Sequence, residues 1–212
     1  AFDLPRVDLD RYRADVFVNV LHMEADLRRF VRQEVAAGGR TILWQYLPGI
    51  TDGRRLDPEM TSELTGMGLR PIESGSTAIL KVEIPGGPAT RFEYWEPVEP
   101  LYAVEGADEV LGRLDATGDV LVGRKRFKDH VSLHAVLPPV GAEVYREIFR
   151  EAGAHIYTNA GDALHGGCGA VWLHTVEGGP RTLHLPNGKQ VEIDLPELST
   201  QVFASETGER LL

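Results

Sequence analysis

The chain has 212 residues, 42% of them hydrophobic, enough to bury a core and to make one domain of about 150 to 200 residues with a small appendage. Its 22 Lys and Arg face 32 Asp and Glu, and the net charge of -10 opposes docking on phosphate backbones or anionic lipid, so neither nucleic acid nor a membrane surface is an expected partner. No apolar run approaches the roughly 20 residues that cross a bilayer, the single cysteine permits no internal disulfide, and the compartment is left open.

The chain opens Ala1-Phe2-Asp3-Leu4-Pro5, with neither Met nor a charged-then-apolar leader, and is expected to be a piece of something longer. From Ala14, "ADVFVNVL" is apolar on both faces, as a strand covered by helices on each side would be. In "MEADLRRFVRQEVAAGG", Leu27, Phe30, Val31 and Val35 recur at helical spacing before the stop at Gly38-Gly39. A second buried strand, "TILWQYLPG", breaks at Pro48-Gly49 and completes a β-α-β unit. Asp57 as cap, Pro58 at the first helical position and Gly66 as stop predict a short helix. "STAILKVEIPGG" returns to strand and turns at Gly86-Gly87, and "TRFEYWEPVEPLYAVEGADEVLGRL" reads as irregular with short strands.

"DVLVGRKRF" and "DHVSLHAVLPP" are expected to be a strand pair joined by a short turn. A helix follows with Val144, Tyr145, Ile148 and Phe149 inward, then Gly153 and a strand from His155. The tail "RTLHLPNGKQVEIDLP" alternates around Asn187-Gly188, a strong hairpin signal, and "TQVFAS" adds a further strand. The expected fold class is α/β, an open, mostly parallel sheet with helices on both faces over 1–176, followed by a small antiparallel β tail over 177–212.

Four constellations compete for chemistry. Cys168 in "LHGGCGAVWLH" resembles the elbow of thiol amidotransferases and α/β hydrolases, where a strand enters the nucleophile and a helix leaves it. Here turn residues precede Cys168 and a strand follows, so no helix N-terminus activates the thiol, and a small semi-buried cysteine is the favoured reading. His165, Cys168 and His174 could ligate a metal only with a fourth ligand, and His130 and His134 are far apart if "HVSLH" is a strand, so no metal and no cofactor are expected. Glu93, Glu96 and Glu99 beside Tyr94 and Trp95 suggest a sugar site, but a sequence cluster does not place two carboxylates across a cleft, and a solvated acidic loop is preferred. Trp44 and Tyr46 share one side of a strand whose carboxyl end is where open α/β sheets bind ligands; they are the candidate carbohydrate or interface contacts, against core packing as the ordinary alternative. No catalytic residue is assigned.

The block from "RADVFVNVL" through "LWQYLPGITDG" and "MTSELTGM" resembles the amidotransferase-like domain of beta-galactosidases, often called the beta-galactosidase trimerisation domain, at Asn19, Trp44, Tyr46, Pro48, Gly49, Leu64, Thr65 and Gly66. "HVSLHAVLPPVGAEVYREIFREAGAHIYTNAGD" resembles a later block of that family, and "RTLHLPNG" the start of the small β domain that follows it. The resemblance implies a flavodoxin-like layer that has lost the amidotransferase cysteine triad. It also implies a non-catalytic oligomerisation domain whose partners are the catalytic barrel of the same or another chain and further copies of itself, and which lines a neighbouring active site and so meets carbohydrate. A missing or truncated opening strand fits a fragment. Two rival readings are a Cys168-dependent hydrolase or amidotransferase relative using His165 or His174, and a carbohydrate-binding module using Trp44, Tyr46 and Trp95.

Overall fold

The first Val-rich run is β1, Ala14–Val18. The amphipathic stretch after it begins as α1, Ala25–Phe30, and continues as a π-helical segment over Val31–Val35. Val31 and Val35, four apart and fully buried, put the apolar face of this element against the sheet. β2, Arg40–Gln45, is buried along its whole length and runs parallel to β1 from Ala14↔Thr41 to Val18↔Gln45, so the expected β-α-β unit is present. α2, Pro58–Thr65, is bounded as its sequence dictates: the Asp57 carboxylate accepts the Glu59 N–H at 3.1 Å, and Gly66 closes the helix at φ 72°. The computed structural model describes residues 3–73, 78–83, 89–94, 97–137 and 141–212. The chain divides into two compact units, Ala1–Ala154 and His155–Leu212.

Past α2 the first unit departs from expectation. Among the described residues seven strands follow before the next helix, the first six being β3 (Gly68–Ile72), β4 (Ala78–Glu83), β5 (Ala89–Tyr94), β6 (Leu101–Glu105), β7 (Glu109–Leu114) and β8 (Val120–Arg126). β9 (His130–Ala135) is followed by α3 (Ala142–Glu151). One seven-stranded sheet has the order β1-β2-β9-β8-β7-β4-β5, and β3 and β6 form a separate ribbon. Among the described residues only β1, β2 and β9 are parallel neighbouring strands; every pairing from β9 outward to β5 is antiparallel.

The flavodoxin-like α/β fold, with helices on both faces of a parallel sheet, is therefore overturned, and the amidotransferase-like layer with it: strands make up 43% and helices 18%, and the mixed sheet curls into a half-barrel. The physical reason lies in the links. A parallel crossover needs about a dozen residues or more, whereas β7 reaches β8 across Asp115 to Asp119 and β8 reaches β9 across Phe127 to Asp129. The β8–β9 pair with its short turn is as expected; the stretch read as irregular supplies β5, β6 and β7.

Two cores flank the parallel strands. On one face Ile42 and Trp44 pack with Phe17, Val31, Val35 and Leu64; on the other Leu43, Leu133 and Ala135 pack with Val144 and Ile148 of α3. In the second unit, β10 (Ala163–Gly167), β11 (Ala170–Thr175) and β14 (Ser199–Ala204) form an antiparallel sheet, while β12 (Gly179–His184) and β13 (Gln190–Leu195) form the predicted hairpin. Gly188 takes φ 84° in its loop, and the Asn187 side chain accepts the Lys189 N–H at 3.0 Å. "TQVFAS" falls in β14, but no strand starts at His155; the first ladder begins at Ala163. Val171, Leu173, Leu183, Leu195 and Phe203 form this unit's own core.

Candidate functional site at the carboxyl end of β2

The two aromatics singled out in the sequence part company where β2 ends. Trp44 is completely buried, stacked on Phe17 with ring centroids 4.6 Å apart. Its indole N–H donates to Ser132 Oγ at 2.9 Å, and that hydroxyl donates to the Thr65 carbonyl at 2.7 Å. Trp44 thus ties β2 to β9 and α2 and presents no surface of its own. Tyr46 lies just beyond the strand in the left-handed conformation, φ 62°, which costs a non-glycine residue about 1 to 2 kcal/mol and needs holding.

Two groups of β9 hold it. The Tyr46 N–H donates to the Ala135 carbonyl at 2.8 Å, and His134 Nε2 lies 2.7 Å from the Tyr46 carbonyl. His134 is wholly buried, and desolvation pushes its imidazole down to about 4, against a smaller upward pull from that hydrogen bond. The ring is therefore neutral near pH 7, with its proton on Nε2 for the carbonyl. Nδ1 has no partner among the described residues.

The Tyr46 side chain is half-buried, and its hydroxyl donates to the Pro100 carbonyl at 3.1 Å. Burial first, and Tyr102 second, hold its phenol above the ordinary range. Pro100 belongs to a cleft of about 630 Å³ lined by Pro71, Ile72, Glu73, Glu99 and Leu101, between the end of β3 and the start of β6. Glu73 and Glu99 are exposed at its lips. Its lining sets two carboxylates, which accept hydrogen bonds from hydroxyls or a cationic side chain, beside apolar ring edges. Gln45, the last residue of β2, is buried with its amide N–H donating to the Tyr145 hydroxyl of α3, and its carbonyl oxygen has no partner among the described residues. Burial pushes the nearby Tyr94 phenol up to about 12.

The remaining candidates are scattered. Glu93 points outward on β5 and does not line the cleft, while Trp95 and Glu96 lie outside the described residues. Glu73, which sequence reasoning passed over, does line it; its only signal is its place one residue past a strand end. His130 stacks on Phe127 at 4.4 Å, remote in register from His134 on the same strand. Among the described residues no group of three or more His, Cys, Asp or Glu could hold a metal ion. Cys168 is exposed in a two-residue hairpin turn between Gly167 and Ala170, with φ 51° at Cys168 and 77° at Gly169, the type I′ pattern. A strand enters this turn and a strand leaves it, so it is no elbow, and the segment before it, read as turn, is β10. His165 faces Trp172 across the ladder at 5.6 Å and His174 Nδ1 pairs with Thr200 Oγ1 at 2.8 Å; neither engages the thiol.

The sequence matches no family model and no curated protein. In three dimensions the chain is similar to a polyextremophilic beta-galactosidase from the Antarctic haloarchaeon Halorubrum lacusprofundi, with TM-score 0.60 and 18% identity over 96% of this chain and 33% of that one. It is similar also to the beta-galactosidase of the psychrophilic Marinomonas ef1, with TM-score 0.58 and 10% identity over 92% of this chain and 29% of that one. At such identities the likeness is one of fold. The chain spans about a third of the length of these enzymes.

Proposed function

We propose that the chain is an accessory domain of a beta-galactosidase-like glycoside hydrolase, without a catalytic acid or nucleophile of its own. It associates with further copies of itself and packs beside the catalytic barrel of its own or a neighbouring chain. The observation that carries this reading is the likeness in fold over 96% of the chain to one third of a beta-galactosidase. The end of β2 supplies the contact: the strained Tyr46, held by His134, donates its hydroxyl to Pro100 of the cleft that Glu73 and Glu99 line, where a partner's polar groups or the hydroxyls of a sugar can be received. Trp44 serves from the core by fixing the strand that carries Tyr46.

Two measurements test this. Incubated with 4-nitrophenyl β-D-galactoside, the chain is expected to release no nitrophenol above buffer; turnover abolished by Glu73→Gln or Glu99→Gln would sink the non-catalytic reading. In sedimentation at ~100 μM the chain is expected to self-associate, and Tyr46→Ala to weaken that association about tenfold or more with unchanged circular dichroism. A strictly monomeric wild-type chain contradicts the association role.

A further inference from the structure

The second unit carries a sheet face that the reading above does not use. In the antiparallel ladders, residues directly opposite share a face, and the pairs His165↔Trp172, Gly167↔Ala170 and His174↔Thr200 place Trp172 at the centre of one face of the three-stranded sheet. The alternate residues, Val171, Leu173 and Phe203, turn into the core. An antiparallel sheet with one face on a core normally shows polar residues on the other. Here that face holds a half-buried tryptophan with an exposed histidine across the ladder and another two residues along its own strand.

Three properties define what this face can take. No Asp, Glu, Lys or Arg stands at any register position on it, in a chain with 25% charged residues. It is open toward the turn, where a Cβ added at Gly167 would meet nothing within 4 Å. Its other end carries hydrogen-bonding side chains. His174 Nδ1 is held by Thr200 Oγ1 at 2.8 Å, which fixes the ring and leaves Nε2 without a partner among the described residues, and the His165 ring, tilted at 56° to the indole, is likewise not hydrogen-bonded among them.

A pyranose ring has an apolar C–H face and a hydroxyl edge. It is matched by an aromatic plate with neutral donors and acceptors around it, and imidazole is both donor and acceptor. A phosphate or a carboxylate ligand would find no Lys or Arg here, and a cationic ligand no carboxylate. We propose that this face is a binding site for neutral carbohydrate, with one pyranose laid on Trp172 and its hydroxyl edge hydrogen-bonded to His165 and His174. The site lies on a different sheet from Tyr46 and does not depend on the reading of the β2 end.

Ligand-observed saturation-transfer NMR and calorimetry on the full chain, with lactose and β-1,4-galactotetraose as probes, test it. Saturable, millimolar binding is expected, with the strongest transfer to the C–H protons of one ring. Trp172→Ala should weaken it at least tenfold, His165→Ala and His174→Ala several-fold each, and Tyr12→Phe, at an exposed position of the first unit, not at all. The histidine variants sit at exposed positions and keep the test valid if Trp172→Ala misfolds. Absence of saturable binding by the wild type, or binding undiminished in all three second-unit variants, overturns the proposal. A face that instead joins two copies of the chain would show as association lost in Trp172→Ala without any sugar response, and also overturns it. Glycosidase assays play no part in either outcome, so this site and the accessory-domain reading fail separately.

Discussion

Tyr46 keeps its left-handed backbone because a neutral imidazole donates to its carbonyl, and that makes the kink sensitive to acid. The His134 pKa is about 4 in the native state against about 6.5 in the unfolded chain, so between these values only the unfolded state binds the proton. The stabilisation is complete above pH 6.5 and falls as pH drops through the window, by about 3 kcal/mol at most for a shift of this size. Urea midpoints from pH 7 to 4 should show that slope, and His134→Gln should remove its share; His130, also lowered by burial, contributes in the same sense and remains. Cys168 makes a second, opposite case. At φ 51° in a type I′ turn it occupies a position that asparagine or glycine tolerates better. Cys168→Asn is expected to raise stability by about 0.5 to 1 kcal/mol in thermal melts, and Cys168→Ser to change it little. Strand periodicity puts Trp44 and Tyr46 on one side of a strand, but the ladder stops at Gln45, so one became core and the other half-exposed. The same periodicity in "AVWLH" aligns Trp172 with His174.

Among the elements, those marked by local chemistry were legible: the β-α-β unit, α2 with its Asp57 cap and Gly66 stop, and the Asn187-Gly188 hairpin. What the apolar runs could not convey was strand direction, since a buried strand reads alike whether its neighbour runs with it or against it. Direction was written in the short links instead, as at Phe127 to Asp129 between β8 and β9. Gly66 shows how tightly α2 is seated. A Cβ there would stand 2.3 Å from Phe127 Cζ, and the backbone is at φ 72°. Gly66→Ala should therefore cost about 2 to 3 kcal/mol in urea unfolding, and in a Phe127→Ala background only the conformational part, about 1 kcal/mol.

For the whole molecule, charge sets the terms of association. Each copy carries a net charge of -10 near neutrality, so copies that pair must do so against mutual repulsion. The self-association proposed here should strengthen as salt is raised from about 0.05 to 0.5 M, which screens that repulsion. It should strengthen also as pH falls toward the isoelectric point near 5.2; light scattering would show both, and association that weakens with salt would point to specific ion pairs in its place.

β9 stands where the parallel and antiparallel parts of the large sheet meet, and its two neighbours reach it at different cost. β8 arrives through a turn, whereas β2 must pair residues such as Arg40 and His130, 90 positions apart in the chain, after β3 to β8 have been laid down between them. Loop-closure entropy makes the distant pairing late, because it is favourable only once the intervening strands have shortened the effective loop. Folding is expected to start from the β7-β8-β9 meander and to end with the docking of the β-α-β unit, so conservative truncations at Val122 should slow folding while those at Ile42 should mainly hasten unfolding. The end of β2 that carries Tyr46 would then be completed in the last step of assembly.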